Sequence, residues 1–209
     1  LVCKYVENEK IKEINLYAQP FKPRKERVIL FSHRPDMTRS VPTESLAELP
    51  KVNFQKWDGE QDISANNDIF VIAGAGILDI AFAKEKPIVN AHPGIIPLTR
   101  GLDSFKWAIY NNDPIGNTLH LIDNEVDKGE ILQINYTPVL KSDSLETLAR
   151  RHYEYEIDML ANVLEVIESR IIPKEMEKPA TMRMNSEIEA KMISNFEDWK
   201  LKMIGLQKH

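Results

Sequence analysis

Two short, unbroken apolar runs constrain this chain more than any other feature: Ile69-Phe70-Val71-Ile72-Ala73 and Pro87-Ile88-Val89. Neither alternates polar with apolar residues, so neither suits a strand with one face in water. Runs of this kind belong to strands covered on both faces, as in a parallel sheet packed between helices. Each stops abruptly. Gly74 and Gly76 follow the first, and Asn90, His92 and a Pro93-Gly94 turn follow the second. In an open α/β sheet the ligand sits beyond the carboxyl ends of the strands, so these residues are site candidates by position, with His92 expected at the rim.

The remaining pattern is strand-rich and helix-interleaved. Leu1 to Val6 reads as a strand and Glu7 to Tyr17 as a short helix. A basic, proline-marked joint at residues 21–25 precedes a strand at Arg27 to Phe31. A helix is expected from Asp103 to Tyr110, strands at Asn117 to Ile122 and Ile131 to Tyr136, and a long helix from Asp143 to Arg170 capped by Asp143 with Glu146. Ile171-Ile172 and Thr181 to Met184 read as a small hairpin. Ser186 with Glu189 opens a last helix. The expected architecture is α/β, an open and mostly parallel sheet flanked by helices. Residues 1–170 form the catalytic domain, its first strand truncated or diverged, and residues 171–209 a hairpin and helix extension.

Composition excludes several classes. A chain of 209 residues suffices for one well-cored domain. Its apolar runs fall far below the ~20 residues that span a bilayer, and no secretory segment is visible. The net charge of -5, spread along the chain, offers no footprint for a nucleic-acid backbone. Cys3 is the only cysteine, which rules out an internal disulfide and suits a reducing cytoplasm. Gly74 and Gly76 lack the third glycine of a dinucleotide fingerprint. His92, His120 and Asp127 match no zinc spacing, so no metal is expected.

Acyl transfer to an amine requires an oxyanion donor, a base for the amine proton and a group that orients the base. Asn90 can donate from its amide, His92 can shuttle a proton near neutrality, and Asp127 can hold the imidazole or a bridging water. Taken singly, each is equally explained by turn chemistry.

Together they form an ordered set. Asn90-Ala91-His92-Pro93-Gly94-Ile95-Ile96-Pro97, Arg100-Gly101, Gly116 to His120 and Asp127-Lys128-Gly129-Glu130-Ile131-Leu132 resemble the folate-dependent formyltransferase family. The resemblance implies a Rossmann-like formyltransferase fold, 10-formyltetrahydrofolate as donor, and Asn90, His92 and Asp127 as catalytic residues. It implies a folate wall at Ala73, Gly76, Ile77, Leu78 and the loop into Asp127. Arg100 to Trp107 and the tail from Met182 to Trp199 are similar to the nucleotide-sugar N-formyltransferases of surface polysaccharide synthesis. That branch implies a nucleotide-linked amino sugar as acceptor and a homodimer, with Arg100, Lys106 and Trp107 on the acceptor side. The methionyl-tRNA branch carries a C-terminal barrel for which this chain has no room. Glycinamide ribonucleotide formylation and hydrolysis of the folate donor remain alternatives. The amino sugar and its nucleotide stay open.

Overall fold

In the computed structural model, which describes residues 1–20, 27–34, 41–74, 79–122, 129–173 and 178–206, the two apolar runs become neighbouring parallel strands. The chain forms two compact units, Leu1–Lys25 with Asp36–Asn90, and Glu26–Pro35 with Ala91–His209.

In the first unit, helix α1 (Val2–Glu7) is followed by strand β1 (Ile14–Ala18), which pairs in parallel with β2 (Val52–Lys56) from Ile14↔Val52 to Ala18↔Lys56. This reverses the expectation for the N-terminus, where a strand was placed at Leu1 to Val6 and a helix at Glu7 to Tyr17. Long-range pairing with β2 overrides a weak local pattern there. Strand β3 (Phe70–Val71) pairs in parallel with β4 (Ile88–His92), and backbone bonds from Phe70 N to Pro87 O and Ile72 N to Val89 O extend the ladder at both ends. Beneath them Phe82 receives Trp57 and Phe70 edge-on, with ring centroids 4.9 and 5.1 Å away. Edge-to-face packing of this kind adds to the burial of the rings.

In the second unit, helix α2 (Ser104–Tyr110) precedes the antiparallel strands β5 (Gly116–Leu121) and β6 (Ile131–Tyr136). Helix α3 (Leu145–Ala161) is the longest. Its cap is Ser144 rather than Asp143: Ser144 Oγ accepts from Thr147 N and Thr147 Oγ1 accepts from Ser144 N, a reciprocal box. Asp143 instead takes a two-pronged bond from Arg151 at 2.6 and 2.8 Å. The expected run to Arg170 breaks at Asn162, whose side chain donates to Asp158 O, and a short α4 (Val163–Val166) follows. A side-chain amide bonded to its own helix competes with continuation.

The tail also differs from expectation. Ile171 bridges Ile131 and Thr181 bridges Gly101, so the two segments expected to form a hairpin go to separate partners. Asn185, not Ser186, caps α5 (Ser186–Ser194) by accepting from Ile188 N, and α6 (Phe196–Leu206) follows. Both helices complete one core, in which Met184, Met192, Phe196, Trp199 and Met203 pack with Phe31, Phe105, Ile109 and Leu148. Burying each large side chain contributes about 1.5–3 kcal/mol relative to exposure.

The strand expected at Arg27 to Phe31 is absent. This stretch runs irregularly, with Val28, Ile29 and Leu30 exposed and only Phe31 buried. The Glu189 carboxylate accepts from Leu30 N and Phe31 N, taking the place a neighbouring strand would fill. Arg27 adds bonds to Met184 O and Asp103. Among the described residues, no helix is long and apolar enough to cross a membrane.

Candidate active site

Asn90 and His92 lie two residues apart on β4 and so leave the strand on the same side. Asn90 is half-buried. His92 is 4 % exposed, so the imidazole is not the rim group expected. A tightly bonded loop encloses it. Thr99 Oγ1 accepts from Ile95 N at 2.8 Å, and Thr99 N donates to Ile95 O. Thr118 on β5 accepts from Ile96 N at 3.0 Å and donates to Gly94 O at 2.7 Å. The folded-back loop brings the Thr99 carbonyl to 2.9 Å from His92 Nε2, and Ser104 Oγ, at the start of α2, to 3.0 Å from the same nitrogen.

Gly94 makes this fold-back feasible. A Cβ there would lie 2.4 Å from Thr99 O and 2.8 Å from His92 Nε2, so only glycine permits the approach.

Three ionisable side chains that sequence reasoning left without a role pack in the same unit. His152 is buried, with Nδ1 2.8 Å from Thr137 Oγ1 and its ring 5.1 Å from Phe105. His33 stacks on Phe105 at 6.1 Å. Glu156 takes Arg34 in a two-pronged bond at 2.5 and 2.9 Å, and the Arg34 guanidinium lies 4.9 Å from the Tyr153 ring centre. Burial lowers the His152 pKa to about 3, against a smaller upward pull from the Pro93 carbonyl. Burial also lowers His33 to about 4, helped by the charges of Lys106 and Arg34. Both rings are neutral at pH 7. For Glu156 burial raises the pKa, while Arg34 and the charge of His92 act in the other direction. The signal was present in the sequence: His152 and Glu156 sit one helical turn apart inside the apolar stripe of α3, where only a partnered polar group is tolerated.

The other expected site residues are placed as follows. Asp127, Gly76, Ile77 and Leu78 fall outside the described residues. Ala73 is exposed just past β3, and Gly74 turns the chain with φ +92°, a left-handed conformation suited to glycine. Arg100 is buried, its carbonyl accepting from Thr181 N and Oγ1, both at 2.8 Å. Trp107 is half-buried and donates from its indole to Met182 O at 2.7 Å. Lys106 corrects an expectation. It was placed at the acceptor's phosphates, but its side chain is 1 % exposed and is committed to the buried Glu189 carboxylate. His120 is buried on β5 and bonds through Nδ1 to Leu121 O at 3.0 Å.

Strand β4 therefore ends in Asn90-Ala91-His92 and runs into a loop bonded by Thr99 and Thr118. The family model described as formyl transferase matches residues 61–164, and the chain belongs to that family. Methionyl-tRNA formyltransferase of Ehrlichia canis is 25% identical over 182 residues, covering 84% of this chain. This chain spans 59% of the length of that relative. Phosphoribosylglycinamide formyltransferase of Haemophilus influenzae is 33% identical over 101 residues, covering 46% of this chain and 48% of its own length. Among solved structures, a formyltransferase from Anoxybacillus kamchatkensis in complex with UDP-4,6-dideoxy-4-formamido-L-AltNAc and tetrahydrofolate is similar, with a TM-score of 0.54 and 19% identity, covering 86% of this chain and 88% of that one. The α/β class read from the strand pattern therefore holds, as a formyltransferase fold.

Proposed function

We propose that this chain transfers the formyl group of 10-formyltetrahydrofolate to the primary amine of a nucleotide-linked amino sugar, in surface polysaccharide (O-antigen type) synthesis. The observation that carries the reading is the Asn90-Ala91-His92 end of β4, inside the formyl transferase segment, with its imidazole fixed by the loop it precedes. The neutral amine attacks the formyl carbon and its carbonyl oxygen becomes an oxyanion. Asn90 and protonated His92 stabilise that charge. Collapse breaks the bond from the formyl carbon to the folate nitrogen, which takes a proton from His92, while the amine's proton leaves through a water held by Asp127.

Ala73, with Gly76 to Leu78, forms the folate wall, and Arg100 and Trp107 lie on the acceptor side. Lys106 drops out of that set. The sugar acceptor is favoured by likeness to the Anoxybacillus enzyme over most of both chains, and by the Arg100 to Trp107 segment. The higher identity to the Haemophilus enzyme, over a shorter segment, supports glycinamide ribonucleotide as the second reading. The enzyme works as a cytoplasmic homodimer on small molecules, without a metal or a nucleic-acid partner.

The test is an assay with 10-formyltetrahydrofolate and a panel of thymidine- and uridine-linked amino sugars, glycinamide ribonucleotide and methionyl-tRNA, read by mass spectrometry for the formylated product. Formylation of one sugar is expected. Product from glycinamide ribonucleotide alone would move the chain to the second reading. Formate release without any amine would make it a hydrolase, and no product with any acceptor would sink transfer altogether.

A further inference from the structure

His92 Nε2 faces two oxygen atoms, the Thr99 carbonyl at 2.9 Å and Ser104 Oγ at 3.0 Å. A carbonyl oxygen only accepts, so a lone pair on Nε2 would be repelled by Thr99 O. Ser104 has one hydroxyl proton, which it donates to Gly101 O, 2.9 Å away. One assignment fits these four atoms. Nε2 carries hydrogen and shares it between Thr99 O and Ser104 Oγ, while the serine hydroxyl donates to Gly101 O.

We propose that Ser104 is a positioning residue for His92, holding the imidazole in the tautomer with its proton on Nε2 and its lone pair on Nδ1. The inference rests on the reading of His92 as the proton carrier of formyl transfer. It adds which ring nitrogen reacts. With Nε2 committed to the loop, the proton gained during the reaction resides on Nδ1, and Nδ1 returns it. Ser104 is 1 % exposed and anchored by Gly101 O, so the oxygen that meets the ring has little freedom to move away. Ser104 thereby links the first turn of α2 to the imidazole, fixing the ring plane as well as its proton.

The experiment records nitrogen NMR spectra of histidine-labelled protein at alkaline pH, with the His92 signals assigned by their loss in His92→Gln, alongside steady-state kinetics. Wild type is expected to show a protonated Nε2 and a bare Nδ1. Ser104→Ala is expected to mix the tautomers and lower kcat about 10-fold, the scale of one hydrogen bond to a charged ring, with KM little changed. Ser104→Thr, which keeps the hydroxyl, is expected to restore both. A bare Nε2 in wild type, or an unchanged tautomer and kcat in a folded Ser104→Ala, would overturn the proposal. The spectrum does not depend on turnover. Wild type that forms no product yet shows a protonated Nε2 that becomes mixed in Ser104→Ala would refute formyl transfer and support the positioning role.

Discussion

The ammonium of Lys106 and the carboxylate of Glu189, 83 positions apart in the chain, meet inside the protein with almost no exposure to water. The same carboxylate accepts from Leu30 N and Phe31 N, so one side chain joins α2, α5 and the N-terminal stretch of the second unit. Removing one member leaves a buried charge without its partner, which costs about 3–5 kcal/mol. Lys106→Met and Glu189→Gln should each lower the urea midpoint by a matching amount. The double change Lys106→Met with Glu189→Leu should recover much of the loss. A double variant no better than the singles would show that the carboxylate's bonds to Leu30 and Phe31, rather than the ion pair, dominate.

Stability should fall on mild acidification. His33 and His152 have folded pKa values of about 4 and about 3, against an ordinary value of 6.5, so between these limits the unfolded chain binds more protons than the folded one. Their contribution is intact above about pH 6.5 and is lost as pH falls toward 3. Glu189 acts in the same direction: burial raises its pKa, but the Lys106 bond and the backbone donors hold it below the usual value, so its contribution is lost at low pH. Glu156, raised by burial, acts in the opposite direction. Urea midpoints measured from pH 7 to about pH 4.5 should drop in wild type and drop less in His152→Gln, since each unit of pKa difference is worth about 1.4 kcal/mol. Parallel slopes for the two proteins would rule His152 out as a main contributor.

Asn90→Ala and His92→Ala should each reduce formyl transfer by at least ~10²-fold, the scale seen when one preorganised oxyanion donor is removed. The reduction should fall on kcat, because in the proposed mechanism both groups act on charge that develops only in the transition state. Single-turnover rates separate this from weakened binding. Near-normal rates in both variants would remove β4 from the mechanism.

Gly94→Ala places a methyl group 2.4 Å from Thr99 O and 2.8 Å from His92 Nε2. The obstacle includes backbone, so the loop itself must shift, at about 1–3 kcal/mol for an overpacked site. Activity should fall further than that stability loss explains, since the displaced carbonyl is one of the two oxygens holding the imidazole. A variant with full activity and wild-type stability would show that the loop is looser than its hydrogen bonds imply.

How far the sequence could be read depended on how local each cause is. The elements β4, β6 and α2 were legible because their patterns need only a core, not a particular partner. The place of Asn90 and His92 at the end of β4 was legible because the apolar run stops there. What the sequence concealed is relational. β1 exists because Ile14 to Ala18 finds Val52 to Lys56, and Arg27 to Phe31, though apolar enough for a strand, is claimed by Glu189. Lys106 reads as an acceptor-side cation until its distant carboxylate is known. His152 and Glu156 were visible as polar residues on an apolar stripe, but Thr137 and Arg34, which bond to His152 Nδ1 and Glu156, were not.

Phe31 and Glu189 also carry a consequence for the order in which the protein is made. A ribosome delivers Glu189 158 residues after Phe31, so the earlier segment waits for its acceptor while those residues emerge. Until then Phe31, Phe105 and the apolar face of α3 lack Met192, Trp199 and Met203 to close over them. The second unit is therefore a late assembler, and the nascent chain is most exposed to aggregation and to chaperone capture just before its last helices appear.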